Sequence, residues 1–416
     1  MTCSCSTLAG PSDECKFGVM GRVGLGTRIL IGMALGAAVG VALGETVGVL
    51  QPIGDVFIRL LVLAAIPLVF FNLLAGLTAL SDVTAFGRLA GKTMTYFVST
   101  DVVALLLGLG AMSILRPGVG MQLTGEVDGP VGAVPSIAEV LLGMVPRNAF
   151  AAFAEGNVVQ IVVIAVLLGT ATLLLDEGPR TRLAGVYRDV TALLRRIVDL
   201  VLLTAPVGIG VLMAVTVGTH GWALLGPMAR FLAGVYAAQL VILVAYMALL
   251  RLGAARAPLT FLRETGPLWA TTAATTSSLA SLSVSLETAE RIGLPTSIYS
   301  FTLPLGAQLN KDGTSVMLGA VLLFTAQAAG VQFGAASLVA VVLIGLLLSQ
   351  GSGGIPGGGF VIALIYVQAF NLPIEVAAIV GGIYRFVDMG NTTINVMGDL
   401  IGTALVARSE AERTSS

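Results

Sequence analysis

FTLPLGAQLNKDGTSVMLGAVLLF, Phe301 to Phe324, is the stretch whose reading decides the architecture. Apolar residues flank one polar knot made of Asn310, Lys311, Asp312, Gly313 and Thr314. A charged side chain at the centre of a bilayer costs at least about 2.5–3.5 kcal/mol on insertion scales. Two opposite charges and a glycine therefore point to a helix that is interrupted at its middle and screened from lipid by other protein.

Composition supports a membrane setting. The 416-residue chain is 56% hydrophobic and 11% charged, with a mean hydropathy of +0.96. Soluble domains carry about 25% charged residues. Long apolar runs recur at Ile29–Val49, Val102–Leu115, Val158–Leu175 and Leu232–Leu250, so the chain reads as polytopic. A formal net charge of −1 argues against a nucleic-acid partner. The 52 glycines suit helices that pack closely through small residues. All three cysteines, Cys3, Cys5 and Cys15, fall in a tail over residues 1–22 that is expected to be disordered, and they imply no disulfide framework.

Basic residues give an orientation. Arg22 and Arg28 stand before the first span, Arg88 and Lys92 between the second and third, and Arg180, Arg182, Arg188, Arg195 and Arg196 between the fourth and fifth. Arg251, Arg256 and Arg263 follow the sixth, and Arg408 and Arg413 close the chain. The alternate connections in the first half of the chain hold only Arg59, Arg116, Arg147 and Arg230. The positive-inside rule then places both termini in the cytoplasm of a cell (plasma or inner) membrane.

Residues 23–253 read as spans 1–6, with Pro67 and Pro206 inside two of them. Residues 254–408 read differently, and 409–416 form a tail. WATTAATTSSLASLSVS, Trp269–Ser285, holds many small hydroxyl residues and makes a poor lipid-facing helix. LLLSQGSGGIPGGG, Leu346–Gly359, cannot continue a helix through its glycines and proline. Both read as re-entrant hairpins with unwound tips, one on each side of the broken helix. Interrupted hydrophobic segments of this kind mark transporter sites near the bilayer midplane. In the last span, Asn391, Thr392, Asn395 and Asp399 follow Asp388 by three, four, seven and eleven positions, which is one helical stripe. Two aspartates on it favour function over a structural polar seam.

These motifs carry a family resemblance. SFTLPLGAQLNKDGT resembles the N-x-D-G-T broken seventh helix of the glutamate transporter family, the dicarboxylate/amino acid:cation symporters. TTSSLASLSVS and GSGGIPGGG resemble its two hairpin tips, and DMGNTTINVMGD its eighth helix. IPLVFFNLLAGLTAL and NAFAAFAEGNVVQIVVIAVLLGTA are similar to earlier family segments, so the resemblance covers about Gly24 to Glu410. It implies an all-α membrane protein of eight transmembrane helices and two re-entrant hairpins, working as an elevator. It also implies a homotrimer in which spans 1, 2, 4 and 5 form the scaffold, while spans 3, 6, 7 and 8 and the hairpins move as the transport domain.

The resemblance further implies site residues. Substrate would meet Thr276, Ser277 and Ser278 at the first tip, Thr314 at the broken helix, backbone near Ile355 and Gly359 at the second tip, and Asp388, Asn391, Thr392 and Asn395 on the last helix. Cations would meet oxygens of Gly306, Asn310, Asn395 and Asp399 in one site. A second would use Asp312, Asn310 and third-span positions Thr100 and Asp101, and a third Gln308 and the Ser349–Ser352 tip. All are oxygen ligands, as a hard monovalent cation requires. No cofactor is implied; the coupling ion is sodium, or a proton.

The departures are specific. Members that take acidic substrates carry an arginine at the position of Asn391, and some carry one at Thr276. An arginine fork is the usual holder of a side-chain carboxylate. Its absence at Asn391, with Asp388 kept for an ammonium, favours a neutral or polar amino acid. The alternative is a proton-coupled or sodium-independent carrier of acidic amino acids or C4-dicarboxylates. Arg385 is read as a structural partner of Asp388 or another carboxylate, and from one turn away it can also reach an acidic substrate. Lys311 replaces a usually apolar residue and Asp101 a hydroxyl. Lys311 is expected to pair with Asp101, or to stand where a sodium ion would bind and so alter coupling; Asp101 is also a candidate proton carrier. With Asp101, Asp312, Asp388 and Asp399 set against Lys311 and Arg385, the core carries −2. A channel would need a charge ring or filter repeat that is not evident. The sequence has no convincing Ser-His-Asp set and only one histidine, which argues against an enzyme.

Overall fold

The computed structural model describes residues 25–78, 83–121, 142–143, 145–352, 354 and 357–414. The expected N-terminal tail with its cysteines, and Ile355, lie outside these residues. Every regular element among the described residues is helical. The first half holds α1 (Leu25–Leu43), α2 (Gln51–Thr78), α3 (Val83–Leu115), α4 (Ala149–Ala154), α5 (Val158–Leu173), α6 (Glu177–Leu202), α7 (Ala205–His220) and α8 (Leu225–Gly253). The second half holds α9 (Pro258–Glu264), α10 (Gly266–Thr275), α11 (Leu282–Arg291), α12 (Thr296–Leu309), α13 (Asp312–Ala328), α14 (Ala335–Ser349), α15 (Gly358–Ala369), α16 (Ile374–Gly381) and α17 (Tyr384–Thr414).

Thr27–Leu60, Gly87–Leu115 and Gly226–Gly253 are each long and apolar enough to cross a membrane, and α6 with α7 forms a pair bent by 54°. Pro206 sits in the first turn of α7, just past that bend, where its missing N–H costs no helical bond. The first expected span is regular only to Leu43 and then tightens into a 3₁₀ segment, Gly44–Leu50, before α2 begins. The last helix runs to Thr414, past residue 408 where a tail was expected. Its end is pinned by Glu410, 2.8 Å from Lys92 Nζ and 3.1 Å from Arg88 on α3.

Two sets of helices pack among themselves. α1 lies along α7, and α2 packs on α5, α6 and α7. Gly32, Gly36 and Gly40, four apart on one face of α1, meet the backbone of Pro206, Gly210 and Ala214 with no room for a Cβ. Small residues at that spacing let membrane helices approach this closely. In the other set α3 packs on α13 and α8, while α17 packs on α8, α10, α12 and α13. The α14–α15 pair lies between the sets: α15 touches α13 on one side and α2 on the other. This placement brings Gln350, Gly351, Ser352, Gly354 and Gly357 onto the seam.

Candidate functional site

The knot that opens the sequence is the gap between α12 and α13. Asn310 is extended (φ −84°, ψ 118°) and Lys311 is non-helical (φ −135°, ψ 37°). Asn310, Lys311 and Asp312 are each 0% exposed, so neither water nor lipid satisfies them. Protein groups must do so. The Asn395 side chain crosses from α17 and accepts from the backbone N–H groups of Gly313 (2.7 Å) and Thr314 (3.4 Å). It thereby caps the first turn of α13 from another helix, a role usually filled by the preceding residue. Its Nδ2 donates to Thr314 Oγ1 at 3.2 Å.

Around the gap lie the carboxylates. Asn310 Nδ2 donates to Asp399 Oδ1 (3.0 Å) and to the Asn395 carbonyl (3.2 Å). A Cβ at Gly306 would collide with the Asp399 carboxylate, so glycine there permits that closeness. Tyr246 on α8 donates its hydroxyl to Asp312 Oδ2. The carboxyl groups of Asp101 and Asp312 lie side by side, while the Thr100 hydroxyl donates back along α3 to the carbonyls of Tyr96 (3.1 Å) and Phe97 (3.2 Å). Asn310 Oδ1 and Asp312 Oδ1 are buried with no hydrogen-bond partner. Two orphaned acceptors beside two touching carboxylates form a surrounding that a monovalent cation or a proton would complete.

Lys311 does not form the expected pair with Asp101. Its Nζ donates instead to the Ala307 carbonyl at 2.7 Å, one turn back. Its backbone N–H is what meets Asp101 Oδ1, at 3.3 Å. Asp101 is occupied by other donors: Ser315 Oγ at 3.1 Å and Gln350 Nε2 at 2.6 Å. The break in the chain turns the Lys311 backbone, not its side chain, toward α3.

The two hairpin tips meet. Ser277 Oγ (2.8 Å) and Leu279 N (3.3 Å) both donate to the carbonyl of Gly354. Thr276 is left-handed at φ +49°. The Arg385 guanidinium reaches this first tip, donating to Thr276 Oγ1 and, at 2.8 Å, to the Ala274 carbonyl. Asp388 is bonded elsewhere: Tyr384 Oη donates to it at 2.8 Å and Gly357 N–H, at the second tip, at 3.1 Å. Among the described residues no ion pair joins Arg385 to Asp388, so the expected structural partnership is replaced by a link from α17 to the first tip.

Of the remaining expected residues, Ser278, Thr314, Gly359, Asn391, Thr392, Asn395 and Ser352 are buried around this centre. The Asn391 amide lies 2.9 Å from that of Gln239 on α8 and 2.8 Å from the Gly313 carbonyl. Ser349 turns its hydroxyl back to Leu346 O (2.9 Å), while Gln350 next to it reaches Asp101. Gln308 presents its side-chain carbonyl to Arg195, at 2.9 Å. Sequence reasoning missed Asn72, Tyr246, Gln239, Gln350 and Tyr384. Asn72 and Gln239 were visible as lone amides inside apolar runs, the kind of residue that rarely faces lipid.

The model of the sodium:dicarboxylate symporter family matches residues 25–409. The chain belongs to that family. It is 28% identical over 393 residues to the proton/glutamate-aspartate symporter of Escherichia coli K12, covering 92% of this chain and 90% of that protein. It is 27% identical over 412 residues to the proton/sodium-glutamate symport protein of Bacillus caldotenax, covering 94% and 96%. The C4-dicarboxylate transport protein of Bacillus subtilis is 27% identical over 394 residues, covering 93% and 92%. The chain is thus a membrane symporter and not an enzyme.

Proposed function

We propose that this symporter carries an acidic amino acid or a C4-dicarboxylate, driven by sodium, protons or both. The observation that carries the reading is Arg385. Its guanidinium stands at the first hairpin tip rather than on Asp388, so a fork for a substrate carboxylate is present although position 391 is Asn. Asn391 is held by Gln239 and the Gly313 carbonyl and has little freedom to act as the sole determinant. The neutral or polar amino acid favoured by Asn391 alone gives way for this reason, and the relatives named for glutamate, aspartate and C4-dicarboxylates support the change.

In this reading Asp388 takes an ammonium where the substrate has one; it accepts two hydrogen bonds already and a carboxylate can take about four. Thr276, Ser277, Ser278, Thr314, Thr392, Asn395 and backbone near Ile355 and Gly359 line the substrate. A sodium ion rests on Asn310 Oδ1 and Asp312 Oδ1, and the Asp101–Asp312 contact takes a proton. Gly306, Asn395 and Asp399 form a further cation site, and Gln308, Ser349 and Ser352 another. Lys311, fixed on the Ala307 carbonyl, keeps one positive charge beside these sites. The helix sets described above support an elevator with α1, α2, α5, α6 and α7 as scaffold, in a homotrimer in the cell membrane with both termini cytoplasmic.

The test is uptake of labelled glutamate, aspartate, succinate, alanine and serine into proteoliposomes, under a sodium gradient and separately a pH gradient. Acidic substrates should enter, and Arg385→Met should lower their uptake by about tenfold or more, the loss expected for a charged hydrogen bond. Uptake confined to alanine or serine, or undiminished acidic uptake by the variant, would sink the reading.

A further inference from the structure

Arg195 lies on α6, among the arginines that read as a connecting-loop cluster, yet it points inward. One guanidinium nitrogen donates to both Asn72 Oδ1 and Gln308 Oε1, each at 2.9 Å. Its Nε is buried without a hydrogen-bond partner. Asn72 on α2 continues the line: its Nδ2 donates to the Gln350 carbonyl at 3.2 Å. Gln350 Nε2 then donates to Asp101 Oδ2 at 2.6 Å. A continuous set of hydrogen bonds thus runs from α6 through α2 to the second tip and the ion-site carboxylate.

We infer that Arg195 is a stationary cationic latch: it docks the second hairpin tip and the broken helix onto α2 and α6, and lends the ion sites its positive charge only while they are docked. The inference rests on the scaffold division proposed above. Arg195 and Asn72 belong to one helix set and Gln308 and Asp101 to the other, while Gln350 follows α14, which moves with the second set in that division; relative motion then breaks the Arg195–Gln308 and Asn72–Gln350 bonds. Packing agrees with docking here: a Cβ on Gly351 would lie 3.4 Å from Val69 Cβ, and one on Gly357 would lie 3.3 Å from Leu202 Cδ2.

The charge has a direction. Arg195 repels Lys311, which Asp399, Asp101 and Asp312 attract, so the guanidinium belongs to the same electrostatic neighbourhood as the cation ligands. A unit charge roughly 10 Å away, through an effective dielectric of about 20, changes cation affinity on the order of tenfold. Docking on Arg195 therefore favours cation release, and by linkage a bound cation favours undocking by the same factor. Lys311 travels with the sites and gives a constant charge; Arg195 gives one that depends on position.

The experiment uses the full chain with Cys3, Cys5 and Cys15 replaced by serine and a cysteine pair, Val69→Cys with Gly351→Cys, in proteoliposomes. Their spacing is at the short edge of the disulfide range of about 3.5–4.5 Å. The rate of disulfide formation reports docking and needs no turnover. Arg195→Gln and Arg195→Met should slow it about tenfold, and Arg195→Lys should retain more of it and show that the site still folds. In the parent, adding sodium at fixed pH should slow the reaction, and that response should shrink in the Gln and Met variants; pH is held constant because the thiolate fraction itself sets the rate. Unchanged rates in both, or an equal cation response, would overturn the inference. Failure of the functional reading would appear instead as absent acidic uptake by the parent.

Discussion

Replacing Gly398 by alanine tests how tightly the proposed ion site is built. In an ordinary helix interior the change would help, because alanine is favoured over glycine by about 0.8–1 kcal/mol. Gly398 is in the middle of α17, but its face is full. A Cβ there would lie 2.5 Å from Tyr246 Oη, 2.7 Å from Asn310 Nδ2 and 3.0 Å from Asp312 Oδ2. All three atoms belong to the hydrogen-bonded wall of the proposed cation site, so none can shift without loosening a bond. Overpacking of this kind costs about 1–3 kcal/mol. Displacing the Tyr246 hydroxyl from the Asp312 carboxylate costs about 1.5–3 kcal/mol more. After the propensity gain, the variant should lose about 2–5 kcal/mol, most of it at the ion site. Even 2 kcal/mol there raises the half-saturating cation concentration about thirtyfold. The assay is the sodium and proton dependence of uptake, together with thermal unfolding in detergent with and without sodium. Gly110→Ala in α3, where a Cβ meets nothing within 4 Å, is the control and should be neutral or slightly stabilising. If Gly398→Ala behaved like that control, the packed-wall description of the site would be wrong.

Two further outcomes follow from particular bonds. Asn395→Ala leaves the buried N–H groups of Gly313 and Thr314 without their acceptor, so thermal unfolding should report a loss of about 1–3 kcal/mol. At the end of α17, hydrogen bonds from Lys92 and then Arg88 hold the Glu410 carboxyl down to about 2. A carboxylate depressed in this way contributes stability that is present above the ordinary glutamate value and fades as pH falls toward 2. Glu410→Gln should therefore cost at most about 1 kcal/mol at pH 7, as for a solvent-screened pair. Its unfolding should match the parent only at the acid end of a pH series; a difference that persisted at pH 2 would show that charge is not what Glu410 supplies.

Much of the architecture was legible because lipid penalises polar groups so heavily. The knot at Asn310–Thr314, the hydroxyl-rich tip near Thr276 and the glycine tip near Gly354 each interrupted an apolar pattern, and each is a helix break in the structure. The stripe from Asp388 to Asp399 followed from helical period alone. Partner choice was not legible in the same way. Whether Lys311 would reach Asp101 depended on the dihedral angles of two residues in the break, which sequence does not specify. Arg385 looked bound to Asp388 by proximity along one helix, but a guanidinium on a long stem can cross to another element, and here it does. Arg195 was counted as a loop charge because topology rules weigh charges by position, whereas its inward turn is set by Asn72 and Gln308 on separate helices. Gln239, Gln350 and Tyr246 likewise acquire meaning only from what faces them.

If the tips gate transport as proposed, the shared acceptor at Gly354 has a consequence for leakage. Two donors from the first tip close on one carbonyl of the second. If either tip swings away, that bolt is withdrawn for both, so it cannot by itself keep one door shut while the other stands open. Each tip needs fastenings of its own, and each has them. The first is tied to α17 by Arg385, and the second to α2 and α3 by Asn72 and Gln350 and to α17 by the Gly357 N–H on Asp388. An airlock built this way fails open only when a private fastening is lost together with the common bolt. Damage to Arg385 should thus cost the membrane its seal before it costs the protein its fold.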